Sequence, residues 1–420
     1  MRLVAATRTD RWGTAASLAF VFALTSSAAA QAAMPPPSQD PFYDVPPKLG
    51  KVPNGKILRS RPIDASAAGV VPLQASAWQL QFKSLDAHDR PTAMVTTVLV
   101  PDVPWTGPGQ RPIVSYQVAE DSADSKCAVS YALSGGTDAL RTESNAATET
   151  PNLELPLSRG WAVVAPDYQG PHSAFLAAPE EAHGVLDSLK AAVAFKPAGF
   201  NRKTPIGIWG YSGGGYATGV AALFQPTYAP KLNIVGAAMG APAVSVRAEI
   251  DAFSGTFAGG AIAMGIAALK RAYPGARLGH YLSDAGRAAV AASAHDCLAE
   301  AAQRHPFLSM EDLEVRPGIL DRPKLDGFLR SISPRYMPGH PEVPVFHYHD
   351  ATDEFAPLGP ALRTMRRWCR RGSTVDVHVE PVGEHIAYLA VGAPLALAYL
   401  ADRFAGAPAP NGCGSPPLSH

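Results

Sequence analysis

The stretch IGIWGYSGGGYATGVAALF, residues 206–224, constrains the fold most strongly. An apolar run ends in Gly210, Ser212 follows after one intervening tyrosine, and an uncharged Ala-rich segment comes after three more glycines. This order predicts a buried strand, a tight turn and a helix, with Ser212 at the turn. Gly210–Gly214 fits G-x-S-x-G, the nucleophile elbow, in which flanking glycines avoid collisions with strand and helix. A Gly-rich turn with an incidental serine is the alternative; the lysine of a phosphate-binding loop is absent.

Strand and helix patterns alternate around this stretch. Runs typical of strands occur at 77–86, 92–101, 111–122, 161–166 and 231–242, and residues 181–195 have helical spacing. Such alternation predicts an α/β fold with a mostly parallel sheet covered on both faces.

The alternation stops after about Val246 and returns near residue 337. We therefore predict a first core segment at 33–246, a helical cap or lid at 247–336, and a second core segment with the C-terminal tail at 337–420.

A serine nucleophile needs a base, and the base needs a carboxylate that orients it. In chain order the acid follows the serine and precedes the histidine. The segment VFHYHDATDEFAP offers three carboxylates. Asp353 ranks first because it lies several residues beyond a strand and shortly before a proline. Asp350 ranks second and Glu354 third.

Three histidines follow Asp353 in the chain. His378 lies within an alternating strand pattern, and His420 is the last residue. His385 lies between the last strand and the last helix, where a base can reach Ser212. The sequence therefore favours His385 as the base; the alternative is a helix-capping histidine.

His347, His349 and Asp350 form an H-x-H-D run of the kind found among metallohydrolase ligands. The two histidines alternate along a strand, and no further ligand follows directly. We therefore expect no metal at this run, and we predict no other cofactor, since acyl transfer by a serine needs none.

The N-terminus is typical of an exported protein. Basic residues precede an apolar core at Ala15–Leu24, and small residues predict cleavage near Ala30 or Ala32. The core is shorter than the ~20 residues of a membrane span. We expect residues 1–32 to be a signal peptide, the mature protein to be secreted or extracellular, with the periplasm as an alternative, and no stable membrane span to be present.

Charge bears on the class of binding partner, and cysteine content bears on disulfide bonds. The chain has 36 basic and 36 acidic residues, which argues against nucleic acid or an anionic membrane surface as partner. Its four cysteines predict two disulfides in an oxidising compartment, with three pairings possible.

The sequence resembles the secreted lipases of the α/β-hydrolase superfamily, the group that contains fungal lipase A and actinobacterial secreted triacylglycerol lipases. The matching segments are SYQVAEDSADSKCAVSYAL, GWAVVAPDYQGPHSAF, GYSGGGYAT, FHYHDATDEFAP and the turn at His385. CAVSY replaces the CAPSY expected in this family, a change that touches no catalytic role.

This resemblance implies an α/β-hydrolase fold, with the cap between nucleophile and acid, and a triacylglycerol or other lipid ester as substrate, met at a lipid–water interface. It implies Ser212 as nucleophile, Asp353 as acid and His385 as base, with Gly213 and Asp121 forming the oxyanion hole. The implied disulfides are Cys127–Cys297 and Cys369–Cys413. Hydrolysis or transfer of short-chain or aromatic esters is the alternative, and a non-catalytic binding protein is a more distant one.

Overall fold

A computed structural model shows a run of strands followed by strands that are separated by helices. The structure describes residues 34–67, 71–135 and 145–418. The predicted signal peptide and His420 lie outside the described residues. The strands are β1 (Ile57–Ile63), β2 (Ser66–Ala67), β3 (Val71–Pro72), β4 (Ala75–Leu85), β5 (Pro91–Pro101), β6 (Ile113–Gln117), β7 (Ala162–Pro166), β8 (Ile206–Tyr211), β9 (Ile234–Gly240), β10 (Val345–Asp350) and β11 (Val375–Glu380).

The α-helices of the described residues all come after β6 in the chain. They are α1 (Val129–Leu133), α2 (Asn145–Ser158), α3 (Ala178–Ala194), α4 (Gly213–Tyr228), α5 (Val246–Phe253), α6 (Gly260–Ala272), α7 (Asp284–Ala292), α8 (Leu298–Arg304), α9 (Met310–Leu313), α10 (Pro323–Ser331), α11 (Leu358–Arg370) and α12 (His385–Phe404).

Nine of these strands form one sheet in the order β1-β4-β5-β7-β6-β8-β9-β10-β11. From β7 to β11 every neighbouring pair is parallel, whereas β1, β4, β5 and β7 pair in antiparallel fashion. The mostly parallel sheet predicted from the sequence is confirmed. The antiparallel edge is an addition that the sequence did not predict; within it a short turn joins β4 to β5.

The central strands β6, β7 and β8 are buried along their whole length, because helices cover both faces of the sheet. Alternate residues of β8 show the two layers. Ile208 packs in a core with α3 and α4, and Trp209 packs in a second core with α2 and α12. The carboxyl ends of the parallel strands therefore point to one edge, which carries the candidate site.

The chain between β9 and β10 is helical. It contains α5 to α10, and among its described residues the bridge between Leu282 and Glu314 is the one β-type pairing that has both partners in this stretch. Two disulfides join distant segments. Cys127 pairs with Cys297, across 170 residues, and Cys369 pairs with Cys413, across 44 residues.

Candidate active site

Ser212 occupies the turn between β8 and α4 in a backbone conformation that few side chains adopt. Its φ is 54° and its ψ is −120°. Such strain persists only where the surroundings over-determine it. Glycines make the turn possible: a Cβ on Gly214 would strike the carbonyl oxygen of Gln117, and one on Gly210 would strike the backbone of Gly214. Strand, turn and helix are thus the predicted elbow, and Ser212 lies at its tip.

The Ser212 hydroxyl meets an imidazole from the other end of the chain. Ser212 Oγ lies 2.8 Å from His385 Nε2, and His385 Nδ1 lies 2.7 Å from Asp353 Oδ2. His385 is the first residue of α12, and its carbonyl oxygen accepts a hydrogen bond from the Tyr211 hydroxyl at 2.8 Å. The structure therefore brings the three residues into one hydrogen-bonded line suited to proton transfer from the serine.

Asp353 is held by its own loop. Its Oδ1 accepts hydrogen bonds from the backbone N–H groups of Phe355 at 2.9 Å and Ala356 at 2.6 Å. Burial by itself raises the pKa of Asp353, but hydrogen bonds from His349 and His385 outweigh burial and hold the pKa well below its usual value. The Asp353 carboxylate is therefore ionised at neutral pH, and its position is fixed. It can stabilise the positive charge that His385 acquires when its imidazole takes a proton.

The other acid candidates lie elsewhere around the same loop. Asp350 Oδ1 accepts a hydrogen bond from the Thr352 backbone N–H at 3.1 Å. Glu354 accepts one from the backbone N–H of His385 at 3.2 Å, so it touches that residue's main chain and not its imidazole nitrogens. His378 is on β11, 3.7 Å from Glu380, and does not enter the line.

The two histidines of the H-x-H-D run are buried on β10 and bond to protein groups. His349 Nδ1 lies 3.3 Å from His347 Nε2, and His349 Nε2 lies 2.7 Å from the carbonyl oxygen of Ala356. His349 thus supports the acid loop, a contact that the alternating pattern gave no reason to expect. No cluster of three or more His, Cys, Asp or Glu suited to a metal ion occurs among the described residues.

Asp121 lies directly beside the elbow. A Cβ on Gly213 would strike the Asp121 carboxyl group, and the Oδ1 atom of Asp121 is buried without a hydrogen-bond partner. Burial raises the pKa of Asp121 to about 7, although the neighbouring His385 acts to lower it. The Gly213 N–H opens α4 and is free of intrahelical partners. The carboxyl group of Asp121 and this N–H therefore lie side by side at the elbow.

Further buried carboxyl groups surround Asp121, and the sequence singled out none of them as functional. Burial raises the pKa of each, to about 8 for Glu149 and about 7 for Asp167. Glu249 enters this group from α5 and interacts electrostatically with both Asp353 and Asp121. These residues come from separate segments, so only the folded chain brings them together. The set is Glu120, Glu149, Asp167, Glu181 and Glu249.

Aromatic rings form an apolar wall beside His385. The ring of Phe355 meets the imidazole edge-on at 5.6 Å and stacks on Phe253 of α5 at 4.7 Å. Phe257 contacts Phe355 at 5.5 Å and is 59% exposed. Residues from the helical stretch between β9 and β10 therefore reach the site, and they make its surroundings apolar.

The sheet order and the elbow define an α/β-hydrolase fold. A family model described as secretory lipase matches residues 139–412. Lipase 4 of Candida albicans is 33% identical over 389 residues, which cover 90% of this chain and 83% of that protein. The chain belongs to the secretory lipase family, which confirms the resemblance seen in the sequence.

Two further comparisons bear on the site. A probable inactive lipase of Mycobacterium tuberculosis is 34% identical over 378 residues, which cover 89% of this chain and 83% of that protein. The X-ray structure of Candida antarctica lipase A in its closed state matches with a TM-score of 0.81 at 28% identity, covering 92% of each chain. The relatives therefore include proteins named as lipases and one named as a probable inactive lipase.

Proposed function

We propose that the protein is a carboxylic ester hydrolase of the triacylglycerol lipase type, with Ser212 as nucleophile, His385 as base and Asp353 as acid. One observation carries the proposal: the unbroken line of hydrogen bonds from Ser212 Oγ through the imidazole to Asp353. Its relatives include proteins named lipases, which supports lipid esters as the substrate class.

In the first half-reaction Ser212 Oγ attacks the ester carbonyl carbon while His385 Nε2 takes the hydroxyl proton. The carbonyl electron pair moves onto its oxygen, and the new oxyanion is held by donors beside the elbow. The pair then returns, the carbon–oxygen bond to the alcohol breaks, and the alcohol oxygen takes the proton from His385. Asp353 holds the imidazole in place and stabilises its charged form.

In the second half-reaction a water molecule replaces the alcohol. His385 takes a proton from the water as its oxygen attacks the acyl carbon, and Ser212 leaves with that proton. The products are a carboxylic acid and free enzyme. We assign the two oxyanion donors to the backbone N–H of Gly213 and the protonated carboxyl of Asp121.

The helical stretch between β9 and β10 is proposed as a cap over the site. Its bounds, 247–336, come from the sequence, and it separates the core segments 33–246 and 337–420. Phe253 and Phe257 support this proposal, since they line the wall beside His385. Helix α6 carries no charged residue from Gly260 to Leu269, and all of these residues except Ile266 are buried.

We further propose that the substrate is met at a lipid–water interface, and the outer face of α12 supports this. The helix has no Asp, Glu, Lys or Arg from His385 to Leu400, yet Ile386 and Val391 are 61% and 64% exposed. By length and composition α12 is the one described helix that could cross a membrane, but it packs on the sheet. Exposed apolar surface of this kind marks binding sites.

The two disulfides and the secretory family support an extracellular location for the mature protein. We propose that residues 1–32 direct export, and that release beyond the cell, not retention in a periplasm, is the end point. Fractionation of a culture that expresses the full chain tests this: activity confined to the periplasmic fraction contradicts it.

A fluorophosphonate probe, a series of p-nitrophenyl esters and an emulsified triglyceride test the activity. The wild type should react with the probe and hydrolyse the triglyceride, and Ser212→Ala should do neither while it unfolds at the same temperature. Cleavage of short esters without hydrolysis of the triglyceride would favour an esterase. A wild type that the probe does not label would identify a non-catalytic binding protein.

A further inference from the structure

The segment that carries Asp121 is fastened to the helical stretch between β9 and β10. We name residues 121–127 the Asp121 loop. Ser122 forms an antiparallel bridge with Cys297, and the Ala123 N–H donates to the carbonyl oxygen of Asp296 at 2.9 Å. The disulfide between Cys127 and Cys297 closes the same junction. The loop therefore takes its conformation from residues about 170 positions further along the chain.

Arg271, in the last turn of α6, links three segments at this junction. Its Nη2 donates to the carbonyl oxygen of Ala123 at 2.5 Å, and its Nη1 donates to that of Ala294 at 2.9 Å. Nε and Nη2 both donate to the carbonyl oxygen of His172, at 3.3 and 3.2 Å. The rigid fork of a guanidinium can serve several acceptors at once, and an ammonium group cannot reproduce that geometry.

Side chains on both sides of the junction add to this link. Lys126 Nζ lies 3.0 Å from a Glu300 carboxylate oxygen, and His295 Nδ1 lies 2.7 Å from Asp124 Oδ2. Beneath them Ala123 packs in a small buried cluster of apolar residues. The other buried members are Met264, Ala268 and Ala301, from α6 and α8.

Asp121 itself shows why such support is needed. Its φ is 37°, in a region that residues other than glycine seldom occupy, and its Oδ1 has no hydrogen-bond partner to fix the side chain. The backbone must therefore aim the carboxyl group at the site beside Ser212. A conformation of this kind persists only where neighbouring contacts impose it. On its C-terminal side these contacts include Arg271, residues 293–304, and Gln169, whose Oε1 accepts a hydrogen bond from Ser122 Oγ at 3.2 Å.

We propose that Arg271 is a positioning residue for the oxyanion hole: by holding the Ala123 carbonyl it keeps Asp121 aimed at the oxyanion. This rests on the proposed function, in which Asp121 donates to that oxyanion. An oxyanion donor acts on the transition state more than on bound substrate. Loss of Arg271 should therefore lower kcat and leave KM nearly unchanged.

The test uses the secreted full-length protein and a soluble short-chain p-nitrophenyl ester. Arg271→Met should lower kcat by roughly 10-fold, less than the 10²–10³-fold of a missing donor, because the carboxyl is misaligned and not removed. KM should stay within about two-fold. Arg271→Lys should recover only part of the loss, since one ammonium cannot bond all three carbonyls.

Lys270→Met is the matched control. Lys270 precedes Arg271 on the same exposed last turn of α6, so this variant removes a helix-end charge without touching the junction, and its kcat should equal that of the wild type. The effect of Arg271→Met is also measured in a protein that already carries Asp121→Ala. If Arg271 acts through Asp121, adding Arg271→Met to Asp121→Ala should cost less than two-fold in kcat.

Three outcomes would overturn the proposal: kcat of Arg271→Met within two-fold of wild type, full recovery in Arg271→Lys, or an equal loss in the Asp121→Ala background. A protein that fails to fold would show a lowered urea midpoint, and the Asp121→Ala comparison would then be made with Arg271→Lys. A wild type that hydrolyses no ester, or an active Ser212→Ala variant, would refute the proposed function itself. Neither result is among the three outcomes that refute the role of Arg271, so the two failures can be told apart.

Discussion

Replacing Asp121 by Asn should raise stability at alkaline pH, because the native site holds its carboxyl group out of water. Burial raises the pKa of that group from 3.8 to about 7. Between these values the unfolded chain has released the proton while the folded chain keeps it, so the unfolded state binds fewer protons and stability falls as pH rises, levelling off above about 7. At 1.36 kcal/mol per pKa unit, the loss is at most about 4 kcal/mol. An amide does not titrate and escapes this loss.

The same substitution tests whether the second oxyanion donor is the side chain of Asp121 or a backbone N–H group. A carboxyl donates only while protonated, so kcat/KM of the wild type should fall about ten-fold per pH unit above a pH of about 7. Asp121→Asn keeps a donor of similar shape, and should retain much of kcat and lose this alkaline decline. Asp121→Ala should lose about 10²–10³-fold in kcat, as happens when an oxyanion donor is removed.

The assays are initial rates by pH-stat on a soluble ester from pH 5 to 9, and urea unfolding at pH 5 and pH 8. The reasoning is refuted if both variants keep the kcat of the wild type, since the donor is then the backbone. It is equally refuted if Asp121→Asn keeps the alkaline decline, which would point to another buried carboxyl such as Asp167, whose pKa burial also raises to about 7.

Three further predictions concern the acid, the C-terminal tail and the apolar face of α12. Asp353→Asn should lower kcat on the order of 10⁴-fold and Asp350→Asn far less, because only Asp353 meets the imidazole; the reverse order in steady-state kinetics would move the acid to Asp350. Cys413→Ser should lower the free energy of unfolding by at most about 4 kcal/mol, the loop-closure value for 44 residues, in urea titrations; an unchanged midpoint would contradict this. Val391→Glu should reduce hydrolysis of emulsified triglyceride and spare a soluble ester, whereas Val103→Glu, at a 61% exposed site, should change neither; equal effects of the two would contradict docking by α12.

The elbow could be predicted because its determinants are adjacent in the chain. An apolar strand, Ser212 and the glycines around it meet a local steric demand, and Gly210 and Gly214 are needed because backbone atoms lie where a Cβ would project. The sheet followed from the alternating patterns for a similar reason. The antiparallel edge did not, since pairing direction depends on turns and neighbours outside any one strand.

Ranking the acid was harder, because three carboxylates occupy five consecutive positions. The structure distinguishes them by loop geometry: backbone N–H groups of Phe355 and Ala356 turn Asp353 toward His385, and Asp350 instead bonds to Thr352. The roles of His349, behind the acid loop, and of Glu249, on α5, had no local signal. Each depends on a contact between segments that only the folded chain brings together.

The residues of the site differ in which parts of the chain fix their conformation. Ser212 is strained by a turn that its own neighbours impose, and Asp353 is fixed by N–H groups two and three residues away. Asp121 is different, since its unusual φ is maintained across a junction with residues 293–304 and Arg271. If the proposed roles hold, changes in the helical stretch between β9 and β10 should alter the strength of the oxyanion hole while Ser212, His385 and Asp353 keep their geometry.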